Sequence, residues 1–369
     1  MRRTLTSSNP YEGGGDLLPE SILTDQYPKC HNYLKNHQNT LADRGSENQI
    51  FESWYSHWCP RNPTKFKREK ILIPEIVKGG AASFDISGEV FHSTTVYSPI
   101  LTKEYVEDSK KILGILNSNL IWFYITLTGT ILRGGFYRYK TDYLEPISLP
   151  LKVDDAEQIA DSVDRILEAQ AKRDALNLSL SDYLGNYTDG LTLSRLYQPP
   201  AELANSILTD TTTERANLRV GTVTAVEAGS KLVVRATARY KPDNPDEFET
   251  DRWGYTETEA EPAMEFVGLS DAERALIQAF VPHAVEEGND FREQATKTLS
   301  PLDRLEALTL PELTDVEDGI ERYWRARERA EELDEKIEKI DELIDRAVYQ
   351  LYGLADEEIE IVEEAVGDD

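Results

Sequence analysis

"VEDSKKILGILNSNLIWFYITLTG", residues 106–129, decides how this chain is read. Ile112, Ile115, Leu116 and Leu120 recur in steps of three and four, the spacing of one helix face. The apolar run inside it, "ILGILNSNLIWFYITL", is interrupted by Asn117, Ser118 and Asn119. It therefore falls short of the ~18 continuous apolar residues that a membrane span needs. A single helix, packed on one side inside a water-soluble domain, is the expectation.

Upstream, "KILIPEIV" (70–77) is a β-branched run ended by Gly79 and Gly80, hence a strand. "FDISGEVFHSTTVYSPI" (84–100) reads as a hairpin turning at Ser87-Gly88. "CHNYLKNHQNTLADR" (30–44) sets Tyr33, Leu34, His37 and Leu41 at helical spacing, with Gly45 as the stop signal. Residues 27–150 thus form one α+β domain, preceded by a flexible Ser-, Gly- and Pro-rich lead-in, 1–26.

Downstream the texture changes. "DDAEQIADSVDRILEAQAKRDALN" (154–177) is an amphipathic helix with Ile159, Val163, Ile166 and Leu167 on one face, and a connector carries it to residue 200. In 201–268, a small β segment, "LRVGTVTAVEAGSKLVVRATARY" alternates as a hairpin around Gly229-Ser230, and the acidic "KPDNPDEFETDRWGYTETEAEP" follows as a surface loop. The last region, 269–369, is helical: two short helices over 271–287 and 290–298, then a long one over 317–352. There Ile320, Tyr323, Ala330, Leu333, Ile337, Ile340, Ile344 and Ala347 recur in threes and fours. Gly353 ends it, a last short helix follows, and the helix over 154–175 is its expected packing partner. The fold class is α+β: a mixed α/β domain, then an acidic, mainly helical region with a small β-hairpin insert and a long C-terminal helix.

The chain has 369 residues, with 68 Asp and Glu against 40 Lys and Arg. Two or three domains fit that length. The acid excess is that of proteins from a salt-saturated, halophilic cytoplasm, so it does not by itself require a basic partner. Residues 1–150, however, hold 17 basic and 16 acidic side chains, leaving 23 and 52 for the rest. A near-neutral block in so acidic a chain suits a surface that must approach phosphate; a more buried domain with fewer surface charges gives the same count. Cys30 and Cys59 are too few for a disulfide framework and suit a reducing, cytoplasmic setting.

Ser8-Asn9-Pro10-Tyr11 is one residue from the Asn-Pro-Pro-Tyr turn with which adenine methyltransferases hold a flipped base. Only seven residues precede it, and the glycines of "EGGGD" follow rather than lead, so neither a donor-binding strand nor a catalytic one is expected upstream. No catalytic residue is assigned. Pro242-Asp243 lacks the lysine of a nuclease site, and no Gly-x-Ser-x-Gly elbow occurs. Cys30-His31 with His57 and Cys59 would make a geometrically awkward zinc set, and none is expected.

Nucleic-acid binding has more behind it. "FESWYSHWCPRNPTKFKREK" (51–70) interleaves Trp54, Tyr55 and Trp58 with Lys65, Lys67, Arg68 and Lys70; "LRGGFYRYKTDY" (132–143) repeats the mixture with Arg133, Tyr137, Arg138 and Lys140 beside Gly134-Gly135. Cations neutralise phosphate and flat rings stack on bases. Together with Arg44 these are the candidate DNA-contacting residues, although the aromatics would equally serve a core around which the cations snorkel.

"YPKCHNYLKNHQNTLADR", then Trp54 and Trp58, "FKREKILIPEI", "ILGILNSNLIWFYI" and "GGFYRYKTDYLEPISLPL", in this order, resemble the TaqI-like C-terminal specificity domain of adenine-specific restriction-modification methyltransferases. "IDELIDRAVYQLYGLADEEIEIVEE" is similar to the closing helix of the large type IIG and phage-exclusion enzymes of that group. The resemblance covers about 27–151 and 340–364. It implies a target-recognition module for double-stranded DNA, with S-adenosylmethionine and catalysis supplied by a methyltransferase domain or subunit outside this chain. The rival reading is a helical assembly protein of a defence complex that does not itself bind DNA.

Overall fold

Ile71 and Ile73, two residues apart on one strand, are both buried, and the first half of the molecule is built around them. The computed structural model describes residues 6–7, 16–45, 51, 53–56, 66–92, 95–151, 156–201, 203, 206–288, 291–292 and 298–367. The chain divides into two compact units, 1–168 with 337–369, and 169–336.

The first unit begins with β1 (Thr6–Ser7) paired to β2 (Asp16–Leu17), then α1 (Glu20–Gln26), α2 (Pro28–Asn36) and α3 (Gln38–Ala42). The "KILIPEIV" run forms β3 (Lys70–Pro74) and, after a break at Glu75, β4 (Ile76–Val77). β5 (Ser83–Asp85) and β6 (Val96–Tyr97) do not pair with each other as the expected hairpin would. Both pair antiparallel with β3, β5 against Lys70–Leu72 and β6 against Ile73–Pro74. The hairpin reading fails because Asp85 is drawn inward by a buried partner, described below, which ends β5 before it can fold back.

The expected single helix over 106–129 is two: α4 (Ser109–Asn117) and α5 (Asn119–Thr128). Ser118, with ψ of 153°, is extended and caps α5, its hydroxyl accepting from the Ile121 amide. The Asn117 side chain, in turn, pairs with the Ala82 backbone through both its amide nitrogen and its oxygen, at 2.9 and 2.8 Å. The Asn-Ser-Asn run is therefore a helix break with each side chain or amide assigned a partner. β7 (Thr130–Leu132) and β8 (Phe136–Arg138) form a hairpin that β8 joins to β4, followed by α6 (Thr141–Leu144) and α7 (Ala156–Asp174).

In the second unit, α8 (Ser181–Leu184) and β9 (Asp189–Thr192) lead to the expected hairpin, β10 (Arg219–Ala228) and β11 (Lys231–Tyr240), which turns at Gly229 with φ of 64°. β12 (Thr256–Glu257) and β13 (Glu261–Phe266) both pair with β11. α9 (Asp271–Glu286), started by a Ser270–Glu273 capping box, buries Leu276, Ile277, Phe280 and Val281 in one core with Val220, Leu232, Val234 and Phe266. α10 (Pro301–Glu306) and β14 (Thr309–Pro311), which pairs with β9, come next. The helix expected over 290–298 falls largely outside the described residues.

α11 (Leu313–Tyr352) is the expected long helix, begun four residues earlier than the sequence suggested, and Gly353 ends it at φ of 71° before α12 (Asp356–Gly367). The boundary between units falls inside α7 and inside α11. On the first unit's side, Ile159 and Val163 of α7 share a core with Ile344, Ala347 and Val348 of α11, joined by Ile71, Ile73, Ile115 and Trp122. On the second unit's side, Arg173 pairs with Asp334 at 3.1 Å. The last thirty-odd residues thus belong with the first unit, whereas the linear partition expected from composition assigned all of 269–369 to one helical region.

Candidate nucleic-acid interface

The β7–β8 turn is built from three residues, Arg133, Gly134 and Gly135, closed by Leu132 opposite Phe136. Gly134 and Gly135 have φ of 86° and 76°, a conformation that residues with a Cβ rarely adopt. They leave Arg133 exposed at the tip, between Ile131 and Phe136, which are 66% and 43% exposed. The hairpin is anchored behind the tip, where the Tyr137 ring meets Trp122 edge-on at 5.2 Å and Trp122 is buried in the core. Arg138 pairs with Glu75 at 3.3 Å. Tyr139 turns inward, and burial pushes its hydroxyl pKa upward. Lys140 is half-buried at the start of α6. A Cβ on Gly135 would lie 3.7 Å from the Lys78 side chain, so Lys78 stands beside the turn. Sequence reasoning missed Lys78 because only the pairing of β4 with β8 brings it there.

A second exposed tip surrounds Lys67 and Arg68. Lys70, expected as a DNA contact, is corrected by the structure: its side chain is fully buried and ion-paired with Asp85. The Lys70 ammonium also donates to the Phe66 carbonyl at 2.6 Å. Asp85 in turn accepts from the Ser87 hydroxyl and from the Gly88 and Val90 amides at 3.0, 2.9 and 3.1 Å. Burial works against the charged carboxyl, yet Lys70 and these hydrogen bonds hold its pKa at about 2. Gly88, at φ of 65°, is pressed so closely on Lys67 that a Cβ there would meet its carbonyl oxygen at 2.4 Å. One buried pair therefore shapes two loops, 66–69 with exposed Lys67 and Arg68, and 85–92 with exposed Ile86 and Phe91. A cavity of about 210 Å³ opens beside Arg68, lined by Phe84, Leu101 and Val106.

The remaining candidates are held locally. Arg44 donates to the Ser56 carbonyl and covers the Phe51 ring at 4.6 Å. Trp54 is half-buried, its indole donating to Glu20 at 3.4 Å, and His31 hydrogen-bonds the same carboxylate at 3.0 Å. That His31 bond is the main cause of the lowered Glu20 pKa. Lys65 lies outside the described residues, as do Ser8 to Tyr11 and the zinc candidates His57 and Cys59. Among the described residues no three His, Cys, Asp or Glu side chains are placed to hold a metal. Every strand pairing described is antiparallel. No described helix is long and apolar enough to cross a membrane.

Residues 9–151 match a family model described as the TaqI-like C-terminal specificity domain. The chain is 27% identical over 166 residues to the type II methyltransferase M.PaeR7I of Pseudomonas aeruginosa, a stretch covering 45% of this chain and 27% of that protein. It is 28% identical over 142 residues to the type II methyltransferase M.XhoI of Xanthomonas vasicola, covering 38% and 24%. It is 26% identical over 172 residues to the type II methyltransferase M.BstVI of Geobacillus stearothermophilus, covering 46% and 29%. The chain spans about a quarter of the length of these curated relatives. Together these likenesses support a restriction-modification methyltransferase specificity domain in the first part of the chain.

Proposed function

We propose that the first unit is the DNA target-recognition part of an adenine-specific methyltransferase of a restriction-modification system. Methyl transfer, in this reading, is carried out by a separate catalytic domain or subunit that binds S-adenosylmethionine; the chain's own task is to hold the duplex in register for it. The acid-rich composition favours a salt-rich cytoplasm as its setting.

The observation that carries this reading is the β7–β8 tip, where two left-handed glycines present an exposed arginine between exposed apolar side chains, inside the domain that matches a specificity family. An arginine meets guanine O6 and N7 in the major groove, and apolar groups meet the thymine methyl. Lys65, Lys67, Arg68 and Lys140 would neutralise phosphate, and phosphate contacts set register rather than sequence. Arg138, Tyr137 and Lys70 act as positioning residues, since each is engaged by Glu75, Trp122 or Asp85. Arg44 and Trp54 would shape the N-terminal edge of the same footprint.

The test is selection of duplexes from a random-sequence pool by the full chain in high salt, followed by sequencing. Enrichment of a discrete site that Arg133→Ala relaxes is the expected result. Recovery of an unenriched pool would overturn the reading and favour an assembly role.

A further inference from the structure

The cavity of about 210 Å³ beside Arg68 is lined from the β3–β5 pair and the start of α4, and the proposed tip contacts leave it unused. Phe84, Leu101 and Val106 give it apolar walls, Ser109 adds a hydroxyl, and Arg68 and Glu69 add one charge of each sign. Phe84 stands opposite Ile71 in the β3–β5 register, and Ile71 is fully buried. Residues directly opposite share a face of the sheet, so the Phe84 ring is backed by the core.

The polar groups of this cavity are not engaged elsewhere. Ser109 is only 7% exposed, yet its hydroxyl has no hydrogen-bond partner among the described residues. A buried hydroxyl left unpaired is destabilising, and a ligand that bonds to it removes that penalty. Arg68 and Glu69, both exposed, likewise form no ion pair among the described residues. Their loop is nonetheless fixed, because the buried Lys70 ammonium donates to the Phe66 and Arg68 carbonyls at 2.6 and 3.5 Å. The walls and the polar groups are thus in place before any ligand arrives, which lowers the ordering cost of binding.

Each of these features narrows the ligand. The volume falls below the ~300–1,000 Å³ of pockets for drug-sized molecules, which leaves room for about one ring system. A purely apolar ligand leaves Ser109 and Glu69 without partners, a small inorganic anion is repelled by Glu69 and leaves the apolar walls bare, and an amine has no use for Arg68. A nucleobase with its phosphate satisfies all of them: its faces pack on Phe84 and Leu101, its edge of donors and acceptors meets Glu69 and Ser109, and its phosphate meets Arg68. We propose that this cavity holds a single nucleobase turned out of the DNA stack, beside the contact of Arg68 with the backbone. Extruding a base sacrifices stacking and pairing, and a pocket that packs its faces and bonds its edge offsets that loss. In the proposed division of labour the base to be methylated enters the catalytic domain, so this pocket takes another base of the same site. The choice of DNA rests on the target-recognition reading of the first unit, to which the cavity belongs.

The experiment uses the full chain in high salt and three fluorescein-labelled duplexes followed by anisotropy: one fully paired, one with a single extra base in one strand, and one with an abasic residue at that position. The parent should bind the base-bearing bulge about tenfold tighter than the abasic one, the gain expected of one stacked base. Val106 is 41% exposed at the rim, so Val106→Trp should fill the cavity and erase that preference while paired duplex is bound as before. Glu69→Ala, a change at an exposed position, should reduce the preference severalfold. Circular dichroism should match the parent for both variants. Equal affinity for the two bulges, with paired duplex still bound, overturns the pocket and leaves the recognition reading standing; so does a preference that neither variant reduces. Binding confined to the base-bearing bulge keeps the pocket and removes the recognition reading, and no binding to any duplex removes both. Binding of a deoxynucleoside monophosphate that Val106→Trp abolishes, without any preference between the bulges, assigns the cavity to free nucleotides and overturns DNA as the source.

Discussion

Lys70 and Asp85 face each other across β3 and β5 with side chains 0% and 2% exposed, and the loops on either side of the pair hang from it. Removing one partner strands a charge in the interior, which costs about 3–5 kcal/mol. Lys70→Met should therefore lower the unfolding free energy of the first unit by that order, as read by denaturant titration. Asp85→Leu should be at least as harmful, because the Gly88 and Val90 amides also lose their acceptor. The Asp85 carboxyl is held at about 2, below the unfolded value of about 3.9. Its contribution is thus complete above pH ~4 and is lost as pH falls toward 2.

Gly134 separates conformational strain from crowding. A Cβ there would meet nothing nearer than the Phe136 ring at 3.6 Å, an ordinary contact, but its φ of 86° remains unfavourable. Gly134→Ala should cost about 1–2 kcal/mol of local stability and weaken duplex binding by displacing Arg133. Gly134→Asn should cost less, since Asn tolerates positive φ better. Equal effects from the two substitutions would mean that the backbone conformation of the turn is not what matters.

The arginines on either side of this turn should behave differently. Arg133 is exposed and lies at the tip, so Arg133→Ala should leave stability within about 0.5 kcal/mol while weakening specific duplex binding by ~1–3 kcal/mol. Arg138 is paired with Glu75 at 3.3 Å. Arg138→Ala should lower stability by about 1 kcal/mol as well as binding. Parallel thermal melts and anisotropy titrations distinguish the two patterns.

How far the molecule could be read in advance depended on whether a signal was periodic or depended on pairing. The β10–β11 hairpin and α11 were legible because alternation and three-to-four spacing extend over ten and forty residues. The break at Ser118 was not, since the apolar face runs on through it and only the partners of Asn117 and Ser118 reveal the cap. Lys70 looked like its neighbours Lys67 and Arg68 in sequence. Its burial depends on Asp85, fifteen residues away on another strand. The stretch over 241–262 reads as plain acidic surface, because Arg219 and Arg239 come near its Tyr255 only through strand pairing, which composition does not reveal.

Asp345 gives a pH test that does not depend on DNA. Its carboxylate accepts from the Asn119 amide at 2.7 Å, the first residue of α5, while Glu363 and Asp341 lie near. Burial is the main cause that raises its pKa to about 6, and the two neighbouring carboxylates add to the shift. The unfolded value is about 3.9, so the folded state favours the protonated form. Its contribution to stability is full below pH ~4 and is lost as pH rises through 6. The first unit should accordingly lose up to about 2 kcal/mol between pH 4 and 7 from this group. Asp345→Asn keeps an oxygen for the Asn119 amide and removes the charge. It should raise the unfolding midpoint at pH 7, leave it nearly unchanged at pH 4, and abolish that part of the pH dependence. A variant that is less stable at both pH values would show that the charged carboxylate, rather than its burial, is what α5 requires.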